Sequence, residues 1–288
     1  MGDYGPSVST RSTTADIPPQ PTADEHEISV LITGFGVSSL SSTSLPCILT
    51  DQKQPFKTNP VNASYLIASS LPSSFSFPSL KGDPASRRVS LHVYPTAIPV
   101  SYNTVRELLP KILDEYSAAH GGRRPDLIIH IGIASPRPYY SVESLAHRDE
   151  YVMTDIDGCV GYEAGEKRWK EMGLPEILEP GLPLASDSSS GSSSVLPYPP
   201  NEHFLDTWKL FAPATLDLRI SKDAGRYLCD FIFYTSMSLA LQEGRARNVL
   251  FLHVPSACED ADIERGRSIA LALVKAMVRC WIDEKSDA

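Results

Sequence analysis

The sequence predicts an α/β fold, a single three-layer α/β/α domain built around a mostly parallel, twisted sheet. Short apolar runs alternate with longer amphipathic segments along the chain. The runs are apolar throughout rather than at every second position, which is typical of strands that helices cover on both faces. The chain has 288 residues, of which 42% are hydrophobic, and this is enough to bury one large core.

Strands and helices are predicted from these patterns. The strands cover residues 28–33, 89–94, 126–131, 215–220 and 248–254, and the helices cover residues 62–70, 102–120, 224–243 and 263–282. Asp223 is the predicted N-cap of the third of these helices. Residues 163–213 are predicted to be irregular.

The predicted domain spans residues 28–288. Residues 1–27 are rich in Ser, Thr, Pro and Asp and lack the apolar stretch of a secretory signal, so we predict a disordered leader there. A Ser/Pro-rich loop at about residues 180–200 contains the low-complexity tract 187–194, which predicts a mobile surface loop.

Composition and charge narrow the class of protein. The net charge of −9 argues against nucleic acid or an anionic membrane as the main partner. No run of apolar residues is long enough to span a bilayer. The five cysteines are widely spaced and form no Cys-x-x-Cys pair, which predicts reduced thiols in the cytoplasm and no metal site. The sequence leaves the oligomeric state open.

Three reactive side chains fall near the functional edge of the predicted sheet, beyond the carboxyl ends of strands. Cys229 lies in the first turns of a helix, where the dipole and the free N–H groups lower a thiol pKa and could hold an oxyanion. His253 ends a strand and could be the base that activates the thiol. Glu143 could orient that histidine and fix its tautomer.

Position alone leaves a purely structural role open for each of these three residues. Cys229 could be a cysteine packed against the sheet, because free cysteine is among the most buried residue types. His253 could be a core histidine, and Glu143 could be a solvated acid. Other ionisable residues also lie near strand ends, namely His130, His147, Asp155 and Asp157.

The residues around Cys229 resemble a known family. Residues 223–236, Asp-Ala-Gly-Arg-Tyr-Leu-Cys-Asp-Phe-Ile-Phe-Tyr-Thr-Ser, are similar to the active-site segment of the pyroglutamyl peptidase I family, Ala-Gly-x-Tyr-x-Cys-Asn/Asp followed by an aromatic helix. Residues 251–255, Phe-Leu-His-Val-Pro, resemble its Phe-x-His-Val-Pro. Further similar segments occur in the family's order at residues 31–35, 61–64, 130–132 and 141–147.

This resemblance implies an α/β sandwich of the phosphorylase/hydrolase-like type, without metal or cofactor. It implies a cysteine omega-peptidase that releases N-terminal pyroglutamate (5-oxoproline) from peptides through a thioacyl intermediate. By motif, Cys229 is the nucleophile, His253 the general base and Glu143 the orienting carboxylate.

The resemblance also implies a substrate pocket. Phe35 and Phe56 match the two phenylalanines that enclose the lactam ring, and Asn62 matches a binding-site asparagine. A flat, uncharged lactam suits aromatic walls with a few hydrogen bonds. A charged N-terminal amine would be rejected by the cost of its desolvation.

One departure from the family pattern is an insertion of eighteen residues, 37–54, between the two phenylalanines. Without it, the chain fits the family pattern with no gap. Val37-Ser38 can be encoded by the donor-like GTAAGT, and Gln54 can be the acceptor-like CAG. We therefore hypothesise that residues 37–54 are a translated, unspliced intron, and the alternative is a real surface loop.

A second departure concerns a basic residue that many family members carry near the active site. Val152 and Met153 stand there in this chain, and Arg148 is a nearby substitute. The departures motivate a competing hypothesis, a catalytically impaired relative that binds blocked N-termini or other partners without cleavage. A nucleoside phosphorylase-like enzyme would need a Gly-rich phosphate loop with basic residues, and the sequence shows none.

Overall fold

The computed structural model describes residues 27–36, 62–78, 86–181 and 199–283. The predicted leader up to residue 26, the insertion 37–54, Phe56 and most of the loop at about residues 180–200 lie outside these ranges.

The elements follow one another as strands and helices. The strands are β1 Ile28–Gly34, β2 Ser74–Pro78, β3 Ser86–Val93, β4 Leu127–Ile133, β5 Tyr140–Glu143, β6 Ala146–His147, β7 Ile177–Leu178, β8 Leu218–Ser221 and β9 Val249–Val254. The helices are α1 Ala63–Ser69, α2 Tyr102–Ala119, α3 Lys167–Glu171, α4 Glu202–Phe211, α5 Leu228–Gln242 and α6 Asp260–Met277, with π-helical turns at Tyr162–Glu166 and Val278–Asp283.

The main sheet has seven strands in the order β2-β3-β1-β4-β9-β5-β8. Strands β3, β1, β4 and β9 run parallel to one another, while β2 and β5 are antiparallel to their neighbours β3 and β9, and β8 runs parallel to β5. The predicted α/β class with a mostly parallel sheet is confirmed. Each parallel connection is made through helices, as parallel pairing requires.

Helices cover both faces of the sheet. Helices α1, α4 and α6 pack on one face, and α2 and α5 pack on the other. Helix α2 buries an apolar stripe at Val105, Leu109, Ile112 and Leu113, so its helical periodicity directs this stripe against the sheet. No helix in the described ranges is long and apolar enough to cross a bilayer.

The prediction that residues 163–213 are irregular was wrong for the part of this segment that the structure describes. Helix α4 lies within it and buries Phe204, Leu205 and Trp208. The indole nitrogen of Trp208 donates to the carbonyl of Ile269 on α6 over 3.2 Å. The prolines and serines before α4 mask a short amphipathic pattern, which packing against α6 then stabilises.

The start of α5 also differs from the prediction. The helix begins at Leu228 rather than at residue 224, and Tyr227 rather than Asp223 occupies the N-cap position. Gly225 has φ of +79°, which helical backbone does not allow. The Asp223 carboxylate instead accepts from the Gly225 N–H over 2.9 Å and closes a turn. Cys229 is therefore the second residue of its helix.

Candidate active site

One face of the sheet collects the candidate side chains at its edge. Gly132 on β4 pairs with His253 on β9, and Ser141 on β5 pairs with the same histidine from the other side. Paired residues of neighbouring strands project from the same face of a sheet. This face is the one that α2 and α5 cover, because Phe251, which shares the orientation of His253, packs in their core.

Glu143 and His253 are hydrogen-bonded to each other. Glu143 pairs with Phe251, so its side chain is a diagonal neighbour of His253 across the two strands. Nδ1 of His253 lies 2.7 Å from Oε1 of Glu143. The exposed fraction is 3% for His253 and 0% for Glu143. Glu143 is therefore a buried partner of the histidine and not a solvated acid.

Two further groups reach the same carboxylate oxygen. Nη1 of Arg137, in the loop between β4 and β5, lies 2.8 Å from Oε1 of Glu143, and Oγ of Ser141 lies 3.4 Å from it. Burial raises the pKa of Glu143, but the hydrogen bond and charge of His253, a hydrogen bond from Ser221 and the charge of Arg137 together hold that pKa below its ordinary value. Glu143 is thus ionised at neutral pH.

The thiol of Cys229 lies against the backbone of Gly132. A β-carbon added at Gly132 would stand 2.9 Å from Sγ of Cys229 and 2.5 Å from Cζ of Phe251. Gly132 shares its strand register and its face with His253. The absent side chain therefore leaves the space in which the sulfur sits, next to the strand of the histidine.

The electrostatic setting of Cys229 contradicts the predicted low thiol pKa. Burial raises the pKa of the Cys229 thiol, and the carboxylates of Glu143 and Asp230 raise it further. Arg137 and the backbone of Cys229 lower it, but by less. The residue keeps partial exposure, yet the sulfur itself is enclosed. Contrary to the expected low thiol pKa, desolvation and two carboxylates outweigh the groups that favour the thiolate.

The first turn of α5 presents backbone donors beside this thiol. Phe231 N–H is bonded to the Tyr227 carbonyl, which makes it the first N–H with an intrahelical partner. The N–H groups of Leu228, Cys229 and Asp230 precede it and have no acceptor within the helix. Tyr227 gives no side-chain cap. These groups can bind a negatively charged oxygen beside Cys229.

Phe35 lies beside β4 on the side opposite to the strand of His253. The Phe35 N–H bonds to the Ile131 carbonyl over 3.3 Å and so continues β1 alongside β4. Phe35, Gly132 and His253 consequently form a row across three adjacent strands, with the sulfur of Cys229 above the middle position. The Phe35 side chain is 4% exposed and packs in the core under α2 and α5.

Asn62 is the N-cap of α1. Its Oδ1 accepts from the backbone N–H of Ser64 over 3.0 Å. The hydroxyl of Ser64 lies 2.5 Å from the same oxygen and 3.0 Å from the carbonyl of Phe35. Asn62 therefore connects to Phe35 through Ser64 rather than directly. Phe56, the predicted second aromatic wall, lies outside the described residues.

Asp230 is a buried residue of this region that the sequence did not single out. Its carboxylate accepts from the backbone N–H of His147 over 3.2 Å and lies 3.2 Å from the His147 ring nitrogen. Nη1 of Arg226 is 3.7 Å away. Burial raises the pKa of Asp230 more than these partners lower it. An acid directly after the cysteine of an otherwise apolar helix was the signal available in the sequence.

Arg137 was also missed as a site residue. The available signal was a lone arginine between the prolines of the loop that leads into the strand of Glu143.

Two of the other ionisable residues near strand ends, His130 and Asp155, bond to partners other than Glu143 and His253. Nδ1 of His130 lies 2.8 Å from the hydroxyl of Thr33, and burial lowers the pKa of His130 to about 3. Asp155 accepts from the backbone N–H of Tyr102 over 2.8 Å, while Asp157 is exposed.

At the position where many family members carry a basic residue, the structure presents exposed apolar side chains. Val152 is 78% exposed and Met153 is 45% exposed. Arg148 bonds instead to Asp149 over 2.7 Å and to the carbonyl of Leu174 over 2.6 Å. Its guanidinium is therefore engaged away from the Glu143 group.

A three-layer α/β/α fold with a cysteine, a histidine and a glutamate at one sheet edge is an arrangement typical of cysteine peptidases. The chain is 30% identical over 226 residues to pyroglutamyl-peptidase 1 of Mus musculus, covering 78% of each chain, and the same values hold for the Rattus norvegicus protein of that name. No family model matches the chain.

The fold agrees with this relationship. The pyrrolidone carboxyl peptidase of Thermococcus litoralis aligns in structure with a TM-score of 0.55 at 19% identity, over 88% of this chain and 96% of that one. The chain belongs to the pyroglutamyl-peptidase 1 family of peptidases.

Proposed function

We propose that this chain hydrolyses the peptide bond after an N-terminal pyroglutamyl residue, with Cys229 as nucleophile, His253 as general base and Glu143 as orienting carboxylate. The observation that carries the proposal is the 2.7 Å bond between Nδ1 of His253 and Oε1 of Glu143, in a chain whose relatives are pyroglutamyl peptidases. An ionised carboxylate accepts, so Nδ1 carries the proton and Nε2 is left as the base.

The chemistry begins from a neutral thiol, because the surroundings raise the pKa of Cys229. The S–H proton passes to Nε2 of His253 as the sulfur attacks the carbonyl carbon of the pyroglutamyl residue. The resulting imidazolium is stabilised by Glu143. The C–N bond then breaks, and His253 returns the proton to the leaving amine.

Hydrolysis of the thioester completes the cycle. Water gives a proton to Nε2 of His253 and attacks the acyl carbon, which releases 5-oxoproline and restores the thiol of Cys229. In both steps negative charge develops on the carbonyl oxygen. The N–H groups at the start of α5 are placed to receive it, next to the sulfur.

The substrate pocket is proposed to lie in front of Phe35. Its ring stands in the row that passes under the sulfur of Cys229, where a lactam ring could pack on it. Phe56 is proposed as the opposite wall and Asn62 as a supporting residue that acts through Ser64.

Hydrolysis of a pyroglutamyl amide reporter tests the proposal. We expect the wild-type protein and Cys258→Ala to cleave it, and Cys229→Ala and His253→Ala to be inactive. Cys258 is an exposed free cysteine and is therefore a matched control. Near wild-type turnover by Cys229→Ala would exclude the proposed nucleophile.

A second candidate function is binding without cleavage. The observation that favours it is the apolar, exposed pair Val152 and Met153 where family members carry a basic residue. In that case calorimetry would detect binding of a pyroglutamyl peptide to the wild-type protein, while the pyroglutamyl amide reporter would not be cleaved. Measured turnover would exclude this candidate.

We also propose that residues 37–54 are a translated intron and that the protein works in the cytoplasm. Transcript sequencing across this junction tests the first statement, and a dominant message that retains the whole segment would contradict it. Turnover of the reporter with and without residues 37–54 then shows whether their removal improves the pocket between Phe35 and Phe56. Fractionation of cells tests the location.

A further inference from the structure

Arg137 connects three parts of the chain at the candidate site. Its Nη1 lies 2.8 Å from Oε1 of Glu143 and 2.9 Å from Oγ of Ser141. Its Nη2 lies 2.8 Å from the backbone carbonyl of Asp223. Its own N–H bonds to the Ala134 carbonyl, directly after β4. One guanidinium thus joins β5 to the segment that leads into α5, from a turn anchored on β4.

We propose that Arg137 is a positioning residue for the proposed acyl transfer, because its guanidinium fixes Glu143 relative to the segment that carries Cys229. The inference rests on the proposed function, which assigns neither this residue nor this role. Arg137 does not touch the reacting atoms. It acts through Glu143, whose Oε1 also holds His253, and through the backbone that precedes the nucleophile.

The anchor at Asp223 links β5 to a segment whose other bonds include those of Ser221 to Asp223 and of Arg226 to Glu150 and Asp230. The turn there is closed by the bond from Gly225 N–H to the Asp223 carboxylate, and Gly225 has a positive φ. The helix with Cys229 begins three residues after Gly225. A forked guanidinium can hold a carboxylate and a carbonyl at once, whereas an ammonium presents one charged atom. Lysine could therefore replace one of the two links.

The charge of Arg137 is the second reason. Glu143 is fully buried, and the charge of Arg137 is one of the interactions that keep this carboxylate ionised. Arg137 also favours the thiolate of Cys229, against Glu143 and Asp230. The ionisable groups that act on this thiol or share its surroundings are Glu143, Asp230, Arg137, His253, Tyr102 and Tyr227. Loss of Arg137 therefore raises the pKa of the Cys229 thiol.

Steady-state kinetics of Arg137→Met against pH tests the role. We expect kcat to fall about 10- to 100-fold with a small change in KM, and the acid limb of kcat/KM to move about one unit to higher pH. Arg137→Lys should restore part of kcat and should return the acid limb of kcat/KM most of the way to its wild-type pH. Arg267→Met is the matched control, because Arg267 pairs with Glu264 on α6, on the other face of the sheet.

Alkylation of Cys229 by iodoacetamide separates this inference from the proposed function. Peptide mass spectrometry gives the rate at Cys229 against pH, with exposed Cys258 as the internal reference. We expect the Cys229 profile of Arg137→Met to move to higher pH even if the wild type cleaves no reporter, in which case only the proposed function fails. An unchanged profile with kcat within twofold of wild type would overturn the positioning role, as would a loss matched by Arg267→Met.

Discussion

The sulfur of Cys229 occupies the place that a side chain at residue 132 would need, 2.9 Å from the position of a β-carbon on Gly132. The same β-carbon would also meet the ring of Phe251, at 2.5 Å. A methyl group at this position therefore forces the sulfur, the ring or both to move. Gly132 is thus a steric condition for the placement of the Cys229 sulfur on the strand next to His253.

The first prediction is that Gly132→Ala loses most of its turnover while it still folds. We expect kcat/KM to fall about 100-fold or more, since misplacement of a reacting group by about 1 Å has effects of that size. Reporter kinetics and thermal unfolding measure both quantities. Gly266→Ala is the control, because its β-carbon would meet Ile67 at 2.3 Å on the other face of the sheet. Equal losses of activity in the two variants would contradict the prediction.

The second prediction concerns Glu143→Gln. The amide can donate to Nδ1 of His253, which favours the wrong tautomer, and it carries no charge to stabilise the imidazolium. We expect kcat to fall by about three orders of magnitude with little change in KM. Stopped assays at high enzyme concentration measure the residual rate. Turnover within tenfold of the wild type would show that the 2.7 Å bond is not used in catalysis.

The third prediction is that Asp230→Asn makes Cys229 more reactive at low pH. The carboxylate of Asp230 raises the pKa of the thiol, and the amide keeps an acceptor for the His147 N–H. We expect the alkylation profile of Cys229 to move to lower pH, opposite to the direction for Arg137→Met. Asp157→Asn, at an exposed position, is the control. A shift to higher pH would contradict the assigned charge effect.

The fourth prediction is that His130 makes the fold sensitive to acid. Its folded pKa is about 3, below the unfolded value of about 6.5. The stabilisation from neutral His130 is therefore complete above the unfolded pKa and is lost as pH falls from there toward the folded pKa, by roughly 5 kcal/mol in total. Denaturant unfolding at several pH values should show that the free energy of unfolding changes less steeply with pH in His130→Gln than in the wild type. His203 is exposed and provides the control. Equal slopes of the free energy of unfolding against pH in His130→Gln and His203→Gln would contradict the prediction.

Periodicity predicted the parts of the fold whose local pattern and packing agree. The apolar run that became β9 and the stripe of α2 both appear where their spacing placed them. Strand β5 was not predicted, because its alternation of apolar and polar residues extends over only four residues. Its antiparallel pairing with β9 nevertheless sets the diagonal relation of Glu143 and His253.

Motif and position together predicted that Glu143 and His253 approach one another, but not the electrostatics of the site. The low thiol pKa expected from a helix N-terminus does not hold, because Glu143 and Asp230 come from separate elements and burial depends on the whole fold. The link from Arg137 to Glu143 and Asp223 likewise exists only in three dimensions. These distances are set by the tertiary structure and cannot be deduced from the local sequence.

The most direct measurement is acid-quenched peptide mass spectrometry of the protein during turnover of a pyroglutamyl ester, whose acyl-enzyme should accumulate. We predict a pyroglutamyl adduct on the peptide that contains Cys229, at a level that rises in the pre-steady state, and no adduct in Cys229→Ala. Turnover without an adduct at Cys229, or an adduct on another cysteine, would contradict the account.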